Sequence, residues 1–127
     1  MKFLLITHGK LAEGLLDSAK MLIGELNNVD YISFDEKMGI DELELSIRNY
    51  VQENKSDEIL IFTDILGGTP FNVATLVASE FNNITIIYGL NLPIFIECYI
   101  NKDSYNLKDI KNFISTNAIQ TLGISDL

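Results

Sequence analysis

The chain has 127 residues, of which 47% are hydrophobic, and its formal net charge at neutral pH is -9. This length and apolar content predict a single folded domain over residues 1–127 and exclude a disordered chain. The acidic balance argues against nucleic acid and anionic membrane surfaces as partners, because both repel a negatively charged protein.

Short apolar runs alternate along the chain with segments whose apolar residues recur at helical spacing. In chain order, these patterns predict strands over residues 2–7, 29–34, 58–63 and 83–88, with helices over residues 11–24, 40–51, 69–81, 89–99 and 107–117 and a last strand over residues 119–122. The alternation predicts an α/β fold: a doubly wound, mostly parallel sheet of four strands with a short C-terminal edge strand and helices on both faces.

Two helix starts carry local capping signals. Asp41 and Glu44 have the spacing of a capping box at the start of the second helix. Thr69 is a good N-cap for the third helix, and Pro70 suits a first helical turn.

The number of cysteines and the length of the apolar runs indicate the cellular compartment of the protein. Cys98 is the only cysteine, which excludes an intrachain disulfide or a multi-cysteine zinc site and predicts a small buried hydrophobe. The apolar run after Met1 is too short for a signal peptide, and no run approaches the roughly 18 residues of a membrane-spanning helix. We therefore expect a cytoplasmic protein.

Two residues suited to chemistry follow predicted strands. His8, the only histidine, follows the first strand, and Asp64 follows the third. The carboxyl ends of neighbouring strands share one sheet edge, where open α/β folds gather their ligands. A carboxylate there can accept a hydrogen bond from one ring nitrogen of His8, which leaves the other free to attack. Taken singly, His8 can be an ordinary histidine at a strand end, and Asp64 can be an ordinary turn residue. The predicted pairing of the two is what favours an active site.

A glycine-rich turn follows Asp64. Gly67 and Gly68 allow a ligand to approach the backbone closely, and the helix predicted from Thr69 presents free N–H groups that suit a phosphoryl group. An ordinary turn before a proline-started helix has the same pattern. No lysine follows the glycines, as a nucleotide-binding P-loop requires. With one histidine and no grouped carboxylates, no metal site is predicted, and the expected chemistry is a phosphoryl group carried on His8.

Three segments resemble the mannose-type (mannose/fructose/sorbose) IIA domains of the phosphotransferase system. Residues 7–15 are similar to the HGxLAxG segment around that family's phosphorylated histidine, and residues 64–72 to its DxxGGTPFN segment. Residues 88–93 resemble the G-x-N-x-P turn after the fourth strand. The three segments occur in the family's order, and the resemblance spans nearly the whole chain.

The resemblance implies that His8 accepts a phosphoryl group from the phosphohistidine of the carrier protein HPr and passes it to a IIB domain. The IIB domain would phosphorylate sugar that enters through membrane IIC and IID subunits. Asp64 would orient and support the imidazole, while Thr69 and the amides of Gly67 and Gly68 would hold phosphoryl oxygens. Such a transfer between imidazoles depends on positioning and charge stabilisation and needs no cofactor.

The resemblance also implies a homodimer. Members of this family are usually dimers with a short C-terminal strand added to the sheet, sometimes from the partner subunit, and residues 119–122 are the candidate for it. Because no linker or IIB domain follows, we expect a free-standing IIA protein. The transported sugar stays open, since specificity in this system lies mainly in the membrane subunits.

Three alternatives remain from the sequence. A receiver-like signalling domain would use Asp64 as its phosphoryl acceptor, but residues 7–9 lack the acidic pair that binds its Mg²⁺. The phosphotransferase subunit that serves dihydroxyacetone kinase resembles this chain around His8, but it usually has serine after the histidine and lacks the GGTPFN run. A purely regulatory module, which accepts phosphoryl groups without feeding a transporter, stays open.

Overall fold

The computed structural model describes residues 1–126, in which strands and helices alternate. The strands are β1 (Lys2–His8), β2 (Val29–Phe34), β3 (Ile59–Thr63) and β4 (Ile84–Ile87). The helices are α1 (Leu11–Ile23), α2 (Ile40–Glu53), α3 (Thr69–Ala78), α4 (Leu92–Ile100) and α5 (Leu107–Asn117), followed by a 3₁₀ helix (Ala118–Thr121). These bounds confirm the predicted alternation, with ends that shift by less than one helical turn. Within this described part, no helix has both the length and the apolar character needed to cross a membrane.

All four strands are parallel and form one sheet in the order β2-β1-β3-β4. The chain winds outward from β1 to β2 and then in the opposite direction from β3 to β4, so the winding reverses between β1 and β3. In open parallel sheets, ligands bind outside the carboxyl ends of the strands at such a reversal. The predicted doubly wound parallel sheet is confirmed, and its reversal point lies between the strand that ends in His8 and the strand that precedes Asp64.

Both faces of the sheet are covered by helices, as predicted. Along β1 and β3, successive side chains point to opposite faces. Phe3 and Phe62 pack in the core beneath α1, α4 and α5, whereas Leu4 and Ile61 pack in the core beneath α2 and α3. All four side chains are fully buried. Burial on both faces fixes the two central strands, and with them the position of the residues at their carboxyl ends.

Cys98 on α4 is the buried hydrophobe that the sequence predicts. Its side chain is fully buried in the core that includes Phe95 and Ile94. Burial, with a smaller contribution from the charge of Glu97, raises the pKa of the Cys98 thiol to about 12. Because the reactive form of cysteine is the thiolate, this thiol is inert in the folded protein.

Two helix starts differ from the predicted caps. The predicted capping box of Asp41 and Glu44 is wrong, because α2 begins at Ile40 with Gly39 as its N-cap and no side-chain cap bond. Asp41 lies inside the first turn, where its charge favours the positive end of the helix dipole. In α3 the N-cap is likewise a glycine, Gly68, so Thr69 is the first helical residue instead of the cap.

The predicted C-terminal edge strand is corrected by the structure. Residues 118–121 continue from α5 as a 3₁₀ helix, and the backbone turns extended only at Leu122. No glycine or proline separates the end of α5 from these residues, so nothing in the sequence interrupts the helical path. Within residues 1–126, no fifth strand pairs with β4. A strand needs backbone partners, and the described part of the chain provides none for this segment.

Candidate active site

The site lies at the carboxyl edge of the sheet, at the reversal point. His8 is the last residue of β1, and Gly9 turns the chain away with a left-handed backbone (φ +56) that glycine adopts without strain. The Gly9 N–H donates to the carbonyl oxygen of Phe34 at 2.8 Å, which ties this turn to the end of β2. The side chain of His8 is 50% exposed, so its ring is open to a partner molecule.

Asp64 holds His8 through two contacts to a single oxygen. The backbone N–H of His8 donates to Oδ2 of Asp64 at 2.9 Å, and ring Nδ1 lies 2.8 Å from the same oxygen. A carboxylate can only accept, so Nδ1 carries the proton of this bond. In the neutral ring, Nε2 is then left with the free lone pair. The structure thus brings together the two residues that the sequence pairs, in the orientation that a nucleophilic imidazole requires.

The charge of Asp64 is stabilised by the donors around it. Its second oxygen, Oδ1, accepts from the N–H of Ile65 at 2.9 Å. Burial by itself raises the pKa of the Asp64 carboxyl, but the hydrogen bonds from the amide and ring of His8 and from the Ile65 amide outweigh it. Together they hold the pKa below its usual value of 3.8. The carboxylate is 14% exposed, so a fixed negative charge lies beside the ring in a poorly solvated position.

We expect acid to weaken the fold through Asp64. Because the pKa of Asp64 is lower in the folded than in the unfolded chain, unfolding takes up a proton as the pH falls. The contribution of the Asp64 carboxylate to the free energy of unfolding is therefore complete above about pH 4. It is lost as the pH falls through the pKa that Asp64 has in the folded protein. Asp64→Asn should show a shallower decline of this free energy than wild type between about pH 5 and pH 3, measured by denaturant titration. Equal declines would show that Asp64 is not stabilised as a carboxylate.

Side-chain and backbone bonds brace the turn between Asp64 and α3. Gly67 has φ +79, a conformation that favours glycine. The side-chain amide of Asn72 donates to the carbonyl oxygen of Gly67 at 3.0 Å, and the backbone N–H of Asn72 donates to that of Gly68 at 2.9 Å. The N–H of Gly68 donates to the carbonyl oxygen of Ile65 at 3.2 Å. Sequence reasoning did not assign Asn72 this role, although it lies in the GGTPFN run.

The start of α3 offers hydrogen-bond donors near the ring. The first N–H groups of any α-helix have no partner within the helix. Here the amides of Thr69 and Phe71 make no backbone hydrogen bond to any of residues 1–126, and Pro70 between them has no N–H. The amide of Gly68, which the sequence suggests as a donor, is already bonded to Ile65. The free donors therefore begin at Thr69, one residue later than the second glycine.

Two further contacts fix the residues beside His8 and Asp64. Thr7 is fully buried, and its Oγ1 accepts from the N–H of Ala12 at 2.9 Å, which ties the start of α1 to β1. Gly89, with φ +78, donates its N–H to the carbonyl oxygen of Asp64 at 3.0 Å. The sequence did not predict this role of Thr7, because Thr7 lies five positions before Ala12, which is more than the usual spacing between a capping side chain and the N–H it accepts from. The Gly89 contact ties the turn after β4 to the backbone of Asp64.

Comparison with known proteins identifies the family. A sequence model described as the PTS system fructose IIA component matches residues 2–115. The chain belongs to this IIA family of the sugar phosphotransferase system. The resemblance predicted from the three motifs is confirmed.

Individual IIA relatives match over most of the chain. The fructose-specific EIIA component of Bacillus subtilis (strain 168) is 30% identical over 118 residues, which cover 92% of this chain and 81% of that protein. The mannose-specific EIIAB component of Escherichia coli (strain K12) is 36% identical over 101 residues, covering 76% of this chain but 30% of that longer protein. The solved mannose/sorbose specific IIA subunit from Enterococcus faecalis has a TM-score of 0.91 at 26% identity, covering 99% of this chain and 95% of that chain.

The surface around His8 and Asp64 suits a protein partner more than a small molecule. Leu11, the first residue of α1, is 47% exposed, and Ile65 and Leu66, in the turn after Asp64, are each 61% exposed. Exposed apolar side chains grouped in this way are typical of protein interfaces. A cavity of about 600 Å³ between β2 and α2, lined by Tyr50 among others, does not include His8. Among residues 1–126, no three or more His, Cys, Asp or Glu residues are grouped to hold a metal ion.

Proposed function

We propose that this protein is a phosphoryl carrier of the phosphoenolpyruvate-dependent sugar phosphotransferase system, with His8 as the residue that carries the group. The observation that supports this role most is the 2.8 Å contact between Nδ1 of His8 and Oδ2 of Asp64 on a half-exposed ring. That contact leaves the free lone pair on Nε2 of a side chain that is half exposed. The family identity supports the choice of this system, and the contact with Asp64 supports the choice of His8.

The transfer moves one phosphoryl group between two imidazoles. Nε2 of His8 attacks the phosphorus carried by HPr, a new nitrogen–phosphorus bond forms, and the old one breaks with its electron pair returning to the donor ring. Positive charge develops on the ring of His8, because Nδ1 keeps its proton. Asp64 stabilises that charge from a distance of 2.8 Å. The same steps in reverse pass the group to a IIB domain.

The start of α3 would hold the phosphoryl oxygens. The hydroxyl of Thr69 and the free amides at the beginning of the helix are the donors, with Gly67 providing a close backbone approach. The positive end of the helix dipole favours the negative charge of the group. Catalysis then comes from positioning and fixed charge, without a cofactor.

Two protein partners follow from this role. Phospho-HPr would supply the group and a IIB protein would receive it, each by docking on the surface that includes Leu11, Ile65 and Leu66. The net charge of -9 favours partners with a basic face around their own reactive residue. Membrane IIC and IID subunits would be reached only through IIB, which places the carrier in the cytoplasm.

A two-stage transfer experiment tests this function. The purified protein is incubated with phosphoenolpyruvate, enzyme I and HPr, and its intact mass is read before and after a IIB protein is added. We expect the mass of one phosphoryl group to appear in the first stage and to leave in the second. Labelling without transfer to any mannose-type IIB protein would favour the regulatory module, and no labelling would contradict the proposal.

The C-terminal segment and the open edge of β4 support a homodimer. β4 is an edge strand of the sheet, and a cavity of about 480 Å³ between it and α5 is lined by Ile86, Ile87 and Ile114 among others. Leu122 and Ile124 are 88% and 95% exposed. An open strand edge invites pairing with another chain. We propose that residues 122–126 of each subunit lie along β4 of the partner.

The oligomeric state tests this pairing. We expect sedimentation analysis to give a dimer for wild type and a monomer for the chain that ends after Thr121. The full-length double variant Leu122→Asp, Ile124→Asp should also be monomeric, because it places charge against an apolar groove. The matched control Ser125→Asp adds charge at a neighbouring position that is not apolar. A wild-type monomer, or dimers that survive the double variant, would contradict the pairing.

A further inference from the structure

Gly68 is the glycine whose missing side chain would meet the ring of His8. A Cβ atom built on Gly68 would lie 3.1 Å from Cε1 of His8 and 2.9 Å from Cγ2 of Ile65. Carbon atoms in ordinary contact are about 3.5–4.0 Å apart, so both distances are too short. At every other glycine of the chain, the corresponding position has no heavy atom within 4 Å.

The backbone conformation does not explain a glycine at this position. Gly68 has φ -72 and ψ 165, an extended conformation that any residue adopts. Its N–H donates to Ile65 and its carbonyl oxygen accepts from Asn72, so both backbone groups belong to the turn itself. What Gly68 offers His8 is therefore the absence of a side chain.

We propose that Gly68 is a positioning residue that sets the orientation of the His8 imidazole for phosphoryl transfer. This inference rests on the proposed role of His8 as the carrier. Asp64 holds Nδ1 of the ring, Phe34 meets the ring edge-on at a centroid distance of 5.8 Å, and the Cβ position of Gly68 lies 3.1 Å from Cε1. Cε1 is the carbon between the two ring nitrogens, so a steric displacement of Cε1 moves both nitrogens.

The two close contacts would relax differently in a Gly68→Ala variant. The side chain of Ile65 is 61% exposed and can rotate into solvent. The ring of His8 is bonded to Asp64 at 2.8 Å, so a displacement of the ring changes the geometry of that bond. We therefore expect the added methyl group to disturb the His8–Asp64 pair and to turn Nε2 away from the direction of transfer.

Gly39 provides a matched control. It is also an N-cap glycine in an extended conformation, with φ -78 and ψ 159, and nothing lies within 4 Å of its Cβ position. Gly39→Ala therefore reproduces the change in backbone freedom and in N-cap residue. A difference between the two variants reports the contact with the ring.

The test combines a measurement on the ring with a measurement of transfer. Nitrogen NMR of the single histidine gives its tautomer in the full-length protein without any phosphoryl donor, and transfer from phospho-HPr is timed separately. We expect Gly39→Ala to match wild type in both. Gly68→Ala should fold, change its ring spectrum and transfer roughly tenfold to a hundredfold more slowly. The double variant Ile65→Ala, Gly68→Ala removes the Ile65 clash and should keep the changed ring spectrum; its transfer rate is not compared, because Ile65 also lies on the proposed docking surface.

A wild-type ring spectrum or a wild-type transfer rate in Gly68→Ala would overturn the inference. Recovery of the wild-type ring spectrum in the double variant would also overturn it, because the clash would then lie with Ile65. The ring spectrum needs no phosphoryl donor, so it separates the two proposals. Normal labelling of wild type with an unchanged ring in Gly68→Ala rejects only the positioning role, whereas no labelling of wild type rejects the carrier function.

Discussion

Asp64→Asn is expected to transfer phosphoryl groups at least about a hundredfold more slowly than wild type while keeping its fold. The amide has nearly the volume of the carboxylate, and its oxygen can still accept from the backbone N–H and from Nδ1 of His8. The negative charge beside the ring is lost, and with it the stabilisation of the positive charge that develops during attack. The amide can also present its N–H₂ group to Nδ1, which would select the wrong tautomer.

Single-turnover transfer from phospho-HPr measures this effect, with circular dichroism as the check on folding. Asp103→Asn is the matched control, because it removes the same charge from a side chain that is 92% exposed. We expect the control to transfer at the wild-type rate. If Asp64→Asn also did so, the carboxylate would have neither an orienting nor an electrostatic role.

The pairing of His8 with Asp64 could be predicted because it depends on few structural facts. Each residue follows an apolar run that is long enough for a strand buried on both faces. Parallel strands place their carboxyl ends on one sheet edge, so neighbouring positions follow once β1 and β3 are adjacent. The sequence makes that adjacency plausible, and the observed strand order establishes it.

Contacts that depend on the exact path of a turn could not be predicted in the same way. The approach of Gly68 to Cε1 of His8 depends on the path of a turn and on the rotation of a ring, to within tenths of an ångström. The bond from Ala12 to Thr7 crosses a tight turn at Gly9 whose shape has no simple sequence signature. The sequence indicates that a glycine is present at position 68 but not what it touches.

The C-terminal segment shows a different limit of sequence reasoning. Residues 119–122 have the apolar composition of a short strand, which is why a strand was predicted there. A strand also needs a free sheet edge within reach, and composition does not specify whether the fold provides one. Within residues 1–126, the segment continues α5 as a 3₁₀ helix, and β4 pairs with β3 but has no strand on its other edge.

The hydrogen bonds of Asp64 favour His8 over Asp64 as the phosphoryl acceptor. Oδ2 accepts from the amide and ring of His8, and Oδ1 accepts from the amide of Ile65. A receiver-like domain needs an aspartate oxygen that is free to attack phosphorus beside a bound Mg²⁺. Here both oxygens are engaged in holding the turn and the imidazole, whereas Nε2 of the half-exposed ring is free.

His8→Ala is expected to abolish phosphorylation completely. His8 is the only histidine of the chain, so no second imidazole can replace it. The backbone N–H at position 8 and the Ile65 amide would still donate to Asp64, so the turn and the sheet should persist. Circular dichroism and thermal unfolding of the variant check that the loss is chemical and not a failure to fold.

The most direct test of the carrier function is the intact mass of wild type and His8→Ala after incubation with phosphoenolpyruvate, enzyme I and HPr. The proposed mechanism predicts one added phosphoryl group on wild type and none on the variant. A labelled His8→Ala protein would contradict it and would move the acceptor away from position 8, with Asp64 as the next residue to substitute. An unlabelled wild-type protein would contradict the carrier function itself.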